Sequence, residues 1–126
     1  MSHFTTIQTQ IRDVAALRAA CQEMGLAVEA KAHARGYSSN RIPGDLVIRL
    51  KGPYDIAVNQ QPDGTFGMTC DWYQGHVEKE VGQNYSRLIQ LYAVHKAMAE
   101  ARRKGYTTRR QTLGDGSIKL VIGGVA

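Results

Sequence analysis

The chain has 126 residues, of which 43% are hydrophobic and 21% charged, a balance that suits one domain covering residues 1–126. This composition excludes a chain that is disordered throughout, and the lack of any run of 18 apolar residues excludes a membrane span. The first ten residues are polar and do not have the basic and apolar parts of a signal peptide, so we expect a cytoplasmic protein.

The positive charge is concentrated in the last third of the chain. Residues 1–86 carry eight Lys or Arg against nine Asp or Glu, whereas residues 87–126 carry eight against two. Such asymmetry indicates an anionic partner, which can be a nucleic acid, a membrane surface or an acidic protein. The simpler interpretation is a solvated basic surface that keeps the protein dissolved.

The N-terminal part predicts a strand, a helix and a second strand. Thr-rich residues 4–9 favour a strand at the edge of a sheet. Asp13 as the N-cap and Gly25 after the last turn predict a helix over residues 13–24. Alternation over residues 26–35 predicts a strand with small side chains on its packed face, which leave room for a helix to approach. Residues 36–44 are rich in Ser, Asn, Gly and Pro and predict a loop.

The rest of the chain predicts five more strands and one long helix. Strands over residues 46–50, 54–59 and 65–72, with a Pro-Asp-Gly turn before the last, indicate an antiparallel meander. Apolar residues at helical spacing predict a helix over residues 81–104 that ends at Gly105. Strands over 106–112 and 117–122 surround an Asp-Gly turn. The order β-α-β-β-β-β-α-β-β predicts an α+β fold, a mainly antiparallel sheet with two helices packed on one face.

Seven short segments together carry a resemblance to a known family. They are Met1-Ser2-His3-Phe4, Arg35-Gly36-Tyr37, Asp45-Leu46-Val47-Ile48, Tyr54-Asp55-Ile56, Tyr92-Ala93-Val94-His95, Lys104-Gly105-Tyr106 and Asp115-Gly116-Ser117-Ile118. Their order and spacing resemble the hypothetical chloroplast reading frame 35 family, a bacterial and plastid domain without an established activity. The resemblance implies one intracellular domain of about this length. It also implies an accessory role, because members are described near genes for AAA-type ATPases and small ferredoxin-like proteins.

Candidate catalytic and metal-binding groups are few. The four histidines, His3, His33, His76 and His95, have no pair at the close spacing that metal sites use. No phosphate-binding glycine loop is present, and we expect no catalytic residue, metal or cofactor. Asp55 and Asp71 either form a carboxylate pair on neighbouring strands or are exposed acids beside turns. Cys21 and Cys70 are expected to be separate buried thiols rather than a disulfide.

His95 stands apart because it falls within the apolar stripe of the second helix. An imidazole placed there needs a hydrogen-bond partner. One interpretation is a residue of a small-molecule pocket or a proton-transfer site between this helix and the sheet. The other is a structural histidine bonded to a backbone carbonyl or a tyrosine hydroxyl.

The candidate binding residues lie in two regions. The first is basic and contains Arg102, Arg103, Lys104, Tyr106, Arg109 and Arg110. The second is the loop over residues 36–44, with Tyr37 and Arg41, because exposed loops on a rigid sheet often bind ligands.

We therefore expect a noncatalytic accessory or adaptor protein that docks a protein partner, for which the resemblance suggests an AAA-type ATPase. The first alternative is a nucleic-acid-binding module that uses the same cations, with Tyr106 stacking on a base. The second alternative is a small-molecule-binding domain or enzyme with a pocket around His95.

Overall fold

The structure is a computed structural model that describes residues 3–125, so Met1, Ser2 and Ala126 lie outside the described residues. The strands are β1 Phe4–Gln8, β2 Ala27–Arg35, β3 Arg41–Arg49, β4 Ile56–Gln60, β5 Phe66–Asp71, β6 Tyr106–Thr112 and β7 Ile118–Val125. The helices are α1 Val14–Glu23, the single turn α2 Glu78–Val81 and α3 Ser86–Arg103. The predicted α+β class and the order of strands and long helices are confirmed.

The described strands form two separate antiparallel sheets. The larger sheet has five strands in the order β1-β5-β4-β3-β2, so β2 to β5 form the predicted meander and β1 lies at an edge. The smaller sheet consists of β6 and β7 alone. The C-terminal strands therefore pair with each other and do not extend the main sheet.

Local side-chain chemistry sets the ends of α1. The Asp13 carboxylate accepts a hydrogen bond from the backbone N–H of Ala16 at 3.1 Å, as expected of an N-cap. Gly25 follows the helix with φ at +75°, a left-handed conformation that glycine adopts without steric cost. Both predicted ends of this helix are confirmed.

The two Asp-Gly turns use the same hydrogen bond. Asp63 accepts from the backbone N–H of Thr65 at 2.9 Å, and Asp115 accepts from the backbone N–H of Ser117 at 2.9 Å. These are aspartate turns that fix the reversal between two strands. The hairpins predicted at these positions are β4–β5 and β6–β7.

The main core lies between one face of the five-stranded sheet and the two long helices. Its fully buried side chains include Leu17 and Cys21 from α1, Ile48 and Met68 from the sheet, and Leu88 from α3. Packing the apolar stripes of both helices against one sheet face removes them from water together.

The β2–β3 hairpin folds back across the opposite face of the sheet. β2 is at the far edge from β1, yet the Tyr37 N–H beyond its end donates to Asp71 on β5 at 3.1 Å. Gly36 lies directly against the ring of Phe4 on β1. The bend occurs where Lys31 has φ at +51°. It buries a second small cluster, consisting of Ala34, Val47 and Ala57 with Ala32 and Ile42 beside it.

This fold-back corrects two predictions. The small residues of β2 make room for the curled hairpin itself and not for a helix. The predicted loop over residues 36–44 is also too long, because β3 begins at Arg41 and only residues 36–40 form the turn. Arg35 of β2 pairs with Arg41 of β3, so the pairing of the two strands continues almost to the turn. Arg41 is therefore a strand residue.

The long helix starts later than predicted. Residues 81–85 are not part of it, because Gly82, Asn84 and Tyr85 have φ between +52° and +86°. These left-handed positions end α2 and redirect the chain before α3 begins at Ser86. The apolar periodicity extends across this break, so periodicity alone placed the start too early.

Candidate functional site

The cations predicted at the end of the long helix are exposed. Arg102, Arg103 and Lys104 occupy the last turn and C-cap of α3, where positive charge also complements the helix dipole. Gly105 then turns the chain into β6 with φ at +84°. Three of the predicted cations therefore point into solvent from one short segment.

Arg109 and Arg110 serve different purposes because neighbouring strand residues point to opposite faces. Arg110 donates to both carboxylate oxygens of Glu23 on α1, at 2.9 Å each. Arg109 lies on the outer face of the hairpin, where it pairs with Val121 and is exposed. Arg110 is thus a structural cation, and Arg109 belongs with the exposed ones.

Glu23 is also the hydrogen-bond partner of His95. The His95 Nε2 lies 2.8 Å from Glu23 Oε1, so Glu23 joins α1, α3 and β6. Hydrogen bonds from Arg110, opposed by partial burial and aided by His95, lower the pKa of Glu23 to about 2. We call Glu23, His95 and Arg110 the Glu23 cluster. The partner of His95 is a carboxylate and not the carbonyl or tyrosine hydroxyl expected.

The β6–β7 hairpin exposes three apolar side chains, two of which lie beside the end of α3. Ile122 is 53% exposed, and Tyr106 and Leu113 are each 40% exposed. Tyr106 and Ile122 line a cleft of about 190 Å³ with Ala97, Glu100, Ala101 and Lys104 of α3 and its cap. Within the described residues no third strand pairs with either β6 or β7, so both backbone edges are free. We call Arg102, Arg103, Lys104, Tyr106 and Ile122, together with Arg109 on the other face of the hairpin, the C-terminal surface.

Tyr37 belongs to a different part of the molecule. It lies in the turn over residues 36–40, is exposed, and stacks edge-on against Tyr73 with ring centroids 5.0 Å apart. The turn rests on the sheet face opposite the helices, whereas the C-terminal surface is attached to α3. The two predicted binding regions are therefore not brought together in one surface.

Sequence reasoning missed a buried carboxylate with two arginines. Asp55 is fully buried and receives hydrogen bonds from Arg35 Nε and Nη2 and from Arg49 Nη1, all at 2.8 Å. Burial opposes its ionisation, but hydrogen bonds from the side chain and backbone of Arg35 and from Arg49 outweigh this and lower the pKa of Asp55. Arg49 also pairs with Glu29 at 2.7 Å.

Arg35 and Arg49 line an open cleft together with His33 and Arg41, and we call these four residues the arginine cleft. A signal was present in the sequence, since Arg35 and Arg49 end two consecutive strands and Asp55 begins the next segment. Asp55 and Asp71 are both buried, and each binds the folded-back hairpin, Asp55 through Arg35 and Asp71 through Tyr37. They are not exposed acids beside turns.

Other sites are sparse among residues 3–125. No group of three or more His, Cys, Asp or Glu side chains is placed there to hold a metal ion. Cys21 and Cys70 are both buried free thiols, and burial raises the pKa of Cys21 to about 11 and that of Cys70 to about 12. None of the described helices combines the length and apolar character needed to cross a membrane.

Comparison with known proteins places the chain in a family whose function is not known. The family described as "Protein of unknown function (DUF1257)" matches residues 20–121. The chain is 27% identical over 124 residues to "Uncharacterized protein ycf35" of Pyropia yezoensis, and the match covers 97% of this chain and 96% of that protein. No solved structure matches the chain.

Proposed function

Because the chain belongs to the DUF1257 family of proteins of unknown function, we propose its role from surface chemistry, as a noncatalytic adaptor that docks an acidic protein segment. The docking site is the C-terminal surface. The observation that carries the proposal is an exposed apolar cleft, lined by Tyr106 and Ile122, directly beside the cations that end α3.

The chemistry of this surface suits a protein partner. Interface cores are enriched in Tyr and Arg and contain apolar anchors, while charged groups at the rim steer the encounter. Here Tyr106 and Ile122 provide the apolar centre, and Lys104 lies at the rim of the same cleft. A segment with one apolar side chain flanked by Asp or Glu would fill the cleft and neutralise the cations.

The free edges of the hairpin support the same role. An extended segment can add to an exposed strand through backbone hydrogen bonds, while its side chains enter neighbouring pockets. A two-stranded sheet is also marginal by itself, so a partner that adds a strand would stabilise it. The resemblance to the chloroplast reading frame family makes an AAA-type ATPase the first partner to test.

The test combines capture of the partner with charge reversal. Arg102→Glu, Arg103→Glu, Lys104→Glu and Arg109→Glu together should abolish capture of a stoichiometric partner from nuclease-treated lysate of the source cells. The control reverses four exposed cations elsewhere, Arg18, Lys31, Lys51 and Lys79, and should leave capture unchanged. Arg110 stays in both variants because its contact with Glu23 is structural. Equal loss in both variants would show a nonspecific charge effect and would end the proposal.

A second variant separates protein docking from nucleic-acid binding. Ile122→Ser removes the apolar anchor without changing charge, and should weaken a docked protein at least about ten-fold, or about 1.4 kcal/mol. Nucleic-acid binding would survive this change, would fall steeply with salt, and would disappear on nuclease treatment. Calorimetric titration of the captured partner, or of an oligonucleotide, into the protein and its Ile122→Ser variant measures the two dissociation constants.

A further inference from the structure

The arginine cleft collects four basic side chains on the side of the molecule away from the docking proposal. His33 and Arg35 come from β2, and Arg41 and Arg49 come from β3. They line an open cleft of about 600 Å³. Arg49 lies two residues after Val47, and therefore on the sheet face opposite the helices. The inference drawn from this cleft does not depend on the docking proposal.

Two of these arginines are held rigidly in place. Asp55 bonds two nitrogens of Arg35 and one of Arg49, and the Gly52 carbonyl accepts another bond from Arg35 at 3.1 Å. Glu29 holds the remaining side of Arg49. These bonds raise the pKa of both guanidinium groups, Arg35 chiefly through Asp55 and Arg49 chiefly through Glu29, so both remain charged. A cation fixed before binding loses little entropy when a ligand arrives.

Some hydrogen-bond donors of the arginines in this cleft are not used by these bonds. Within the described part of the chain, Arg35 Nη1 makes no hydrogen bond. Arg41 Nη1 donates to the Asn40 carbonyl at 2.9 Å, and its Nε and Nη2 have no hydrogen-bond partner among residues 3–125. Asp55 and Glu29 form ion pairs with Arg35 and Arg49, and among the described residues no carboxylate is paired with Arg41. An interaction serving only to hold the hairpin would not require Arg41.

We propose that the arginine cleft binds the phosphate group of a small molecule. A phosphate presents several oxygens at tetrahedral angles, and donors from Arg35, Arg41 and His33 approach from two strands. Guanidinium groups match phosphate oxygens with paired, charge-assisted hydrogen bonds. Glu29 and Asp55 flank the arginines with negative charge, which disfavours a long polyanion such as nucleic acid and favours a single anionic group.

Arg41 is the residue that tests the site without disturbing the fold. Among the described residues its side chain donates a hydrogen bond only to the carbonyl of its own neighbour, whereas Arg35 and Arg49 hold Asp55 in the interior. Inorganic phosphate and phenyl phosphate would be titrated separately at constant ionic strength into the full chain. Arginine Nε–H and backbone resonances would be followed by NMR.

We expect saturable shifts confined to the arginine cleft, and at least a ten-fold weaker dissociation constant in Arg41→Gln. Arg18→Gln, which removes an exposed arginine on α1, should leave the constant unchanged. Tighter binding of phenyl phosphate indicates a phosphate monoester as the natural ligand, and equal or tighter binding of inorganic phosphate indicates the free ion. Shifts that do not saturate, or that weaken equally in both variants, would overturn the site.

Discussion

Single polar atoms in this protein differ sharply in how well they are bonded. The hydroxyl of Tyr92 accepts hydrogen bonds from the backbone N–H groups of Arg12 and Asp13, at 3.2 and 3.1 Å. It therefore ties α3 to the start of α1. The hydroxyl of Tyr85 is buried and has no hydrogen-bond partner among the described residues. Burial raises the pKa of Tyr85, and the neighbouring Cys70 thiol contributes to this rise. The same hydroxyl group is thus expected to stabilise the fold at Tyr92 and to destabilise it at Tyr85.

We predict that Tyr85→Phe is neutral or stabilises the fold by up to about 1 kcal/mol, because it removes an unsatisfied buried hydroxyl. Tyr92→Phe makes the same chemical change, and should cost about 1–3 kcal/mol because two backbone donors lose their acceptor. Urea unfolding of the two variants and the parent protein measures both effects. Equal destabilisation by the two substitutions would mean that Tyr85 has a partner.

At the scale of elements, sequence signals that act within a few residues predicted the structure better than contacts between distant residues could be predicted. Asp13 and Gly25 bracket α1, and the Asp-Gly turns form both later hairpins, because each of these signals acts within a few residues. The fold-back of β2–β3 depends on contacts from Arg35 to Asp55 and from Tyr37 to Asp71. Pattern reading assigns strands but does not show which residues meet across 20 or more positions. That is why the arginine cleft was missed.

Gly44 makes the fold-back possible. A Cβ atom at this position would lie 2.5 Å from the Leu46 carbonyl oxygen and 3.2 Å from Ala57 Cβ. The oxygen is backbone and cannot move aside without shifting β3. Glycine is therefore required here because the β3 backbone brings the carbonyl two residues ahead too close for a Cβ atom, with Ala57 of β4 also nearby.

We predict that Gly44→Ala destabilises the protein by about 1–3 kcal/mol, the usual cost of forcing an extra carbon into packed structure. Gly114→Ala is the matched control, because a Cβ there meets nothing within 4 Å. It should change stability by less than about 0.5 kcal/mol. Thermal unfolding of both variants compares them, and a Gly44 variant as stable as the control would contradict this account of the fold-back.

Across the whole molecule, buried or bonded carboxylates link stability to pH. The pKa values of Glu23 and Asp55 are lowered in the folded protein, the first to about 2. A group with a lowered folded pKa binds protons more readily when unfolded, so its stabilisation is full above its unfolded pKa. The unfolded values are 4.5 for Glu23 and 3.8 for Asp55. Stability is then lost as the pH falls from these values through the folded ones.

We predict that the urea midpoint is constant from about pH 7 to pH 5 and falls between about pH 5 and pH 2. Glu23→Gln should lower stability at pH 7 by about 1 kcal/mol, a figure discounted for solvent screening of a part-exposed cluster. It should also reduce the loss on acidification, because one of the titrating groups is gone. An acid profile identical to that of the parent protein would show that the Glu23 cluster does not contribute.

The two proposed sites are on opposite sides of the five-stranded sheet, which separates their tests. The C-terminal surface is carried by α3 and the β6–β7 hairpin, and the arginine cleft by β2 and β3. Substitutions at one site are far from the other in the fold and should act independently. The net positive charge of residues 87–126 was visible in the sequence, but its division between the structural Arg110 and the exposed cations required the fold.

The position of β1 has a consequence for how the protein is made. β1 comes early in the sequence, but its only strand partner among the described residues is β5, and the paired residues are about 60 or more positions apart. During synthesis β1 leaves the ribosome before β5, and it must wait until residue 71 has followed before it can pair. Thr5, Thr6 and Gln8 make it a polar strand, which suits a segment left exposed for that interval. We expect this edge of the main sheet to form only after β5 has been synthesised, although β1 is made earlier.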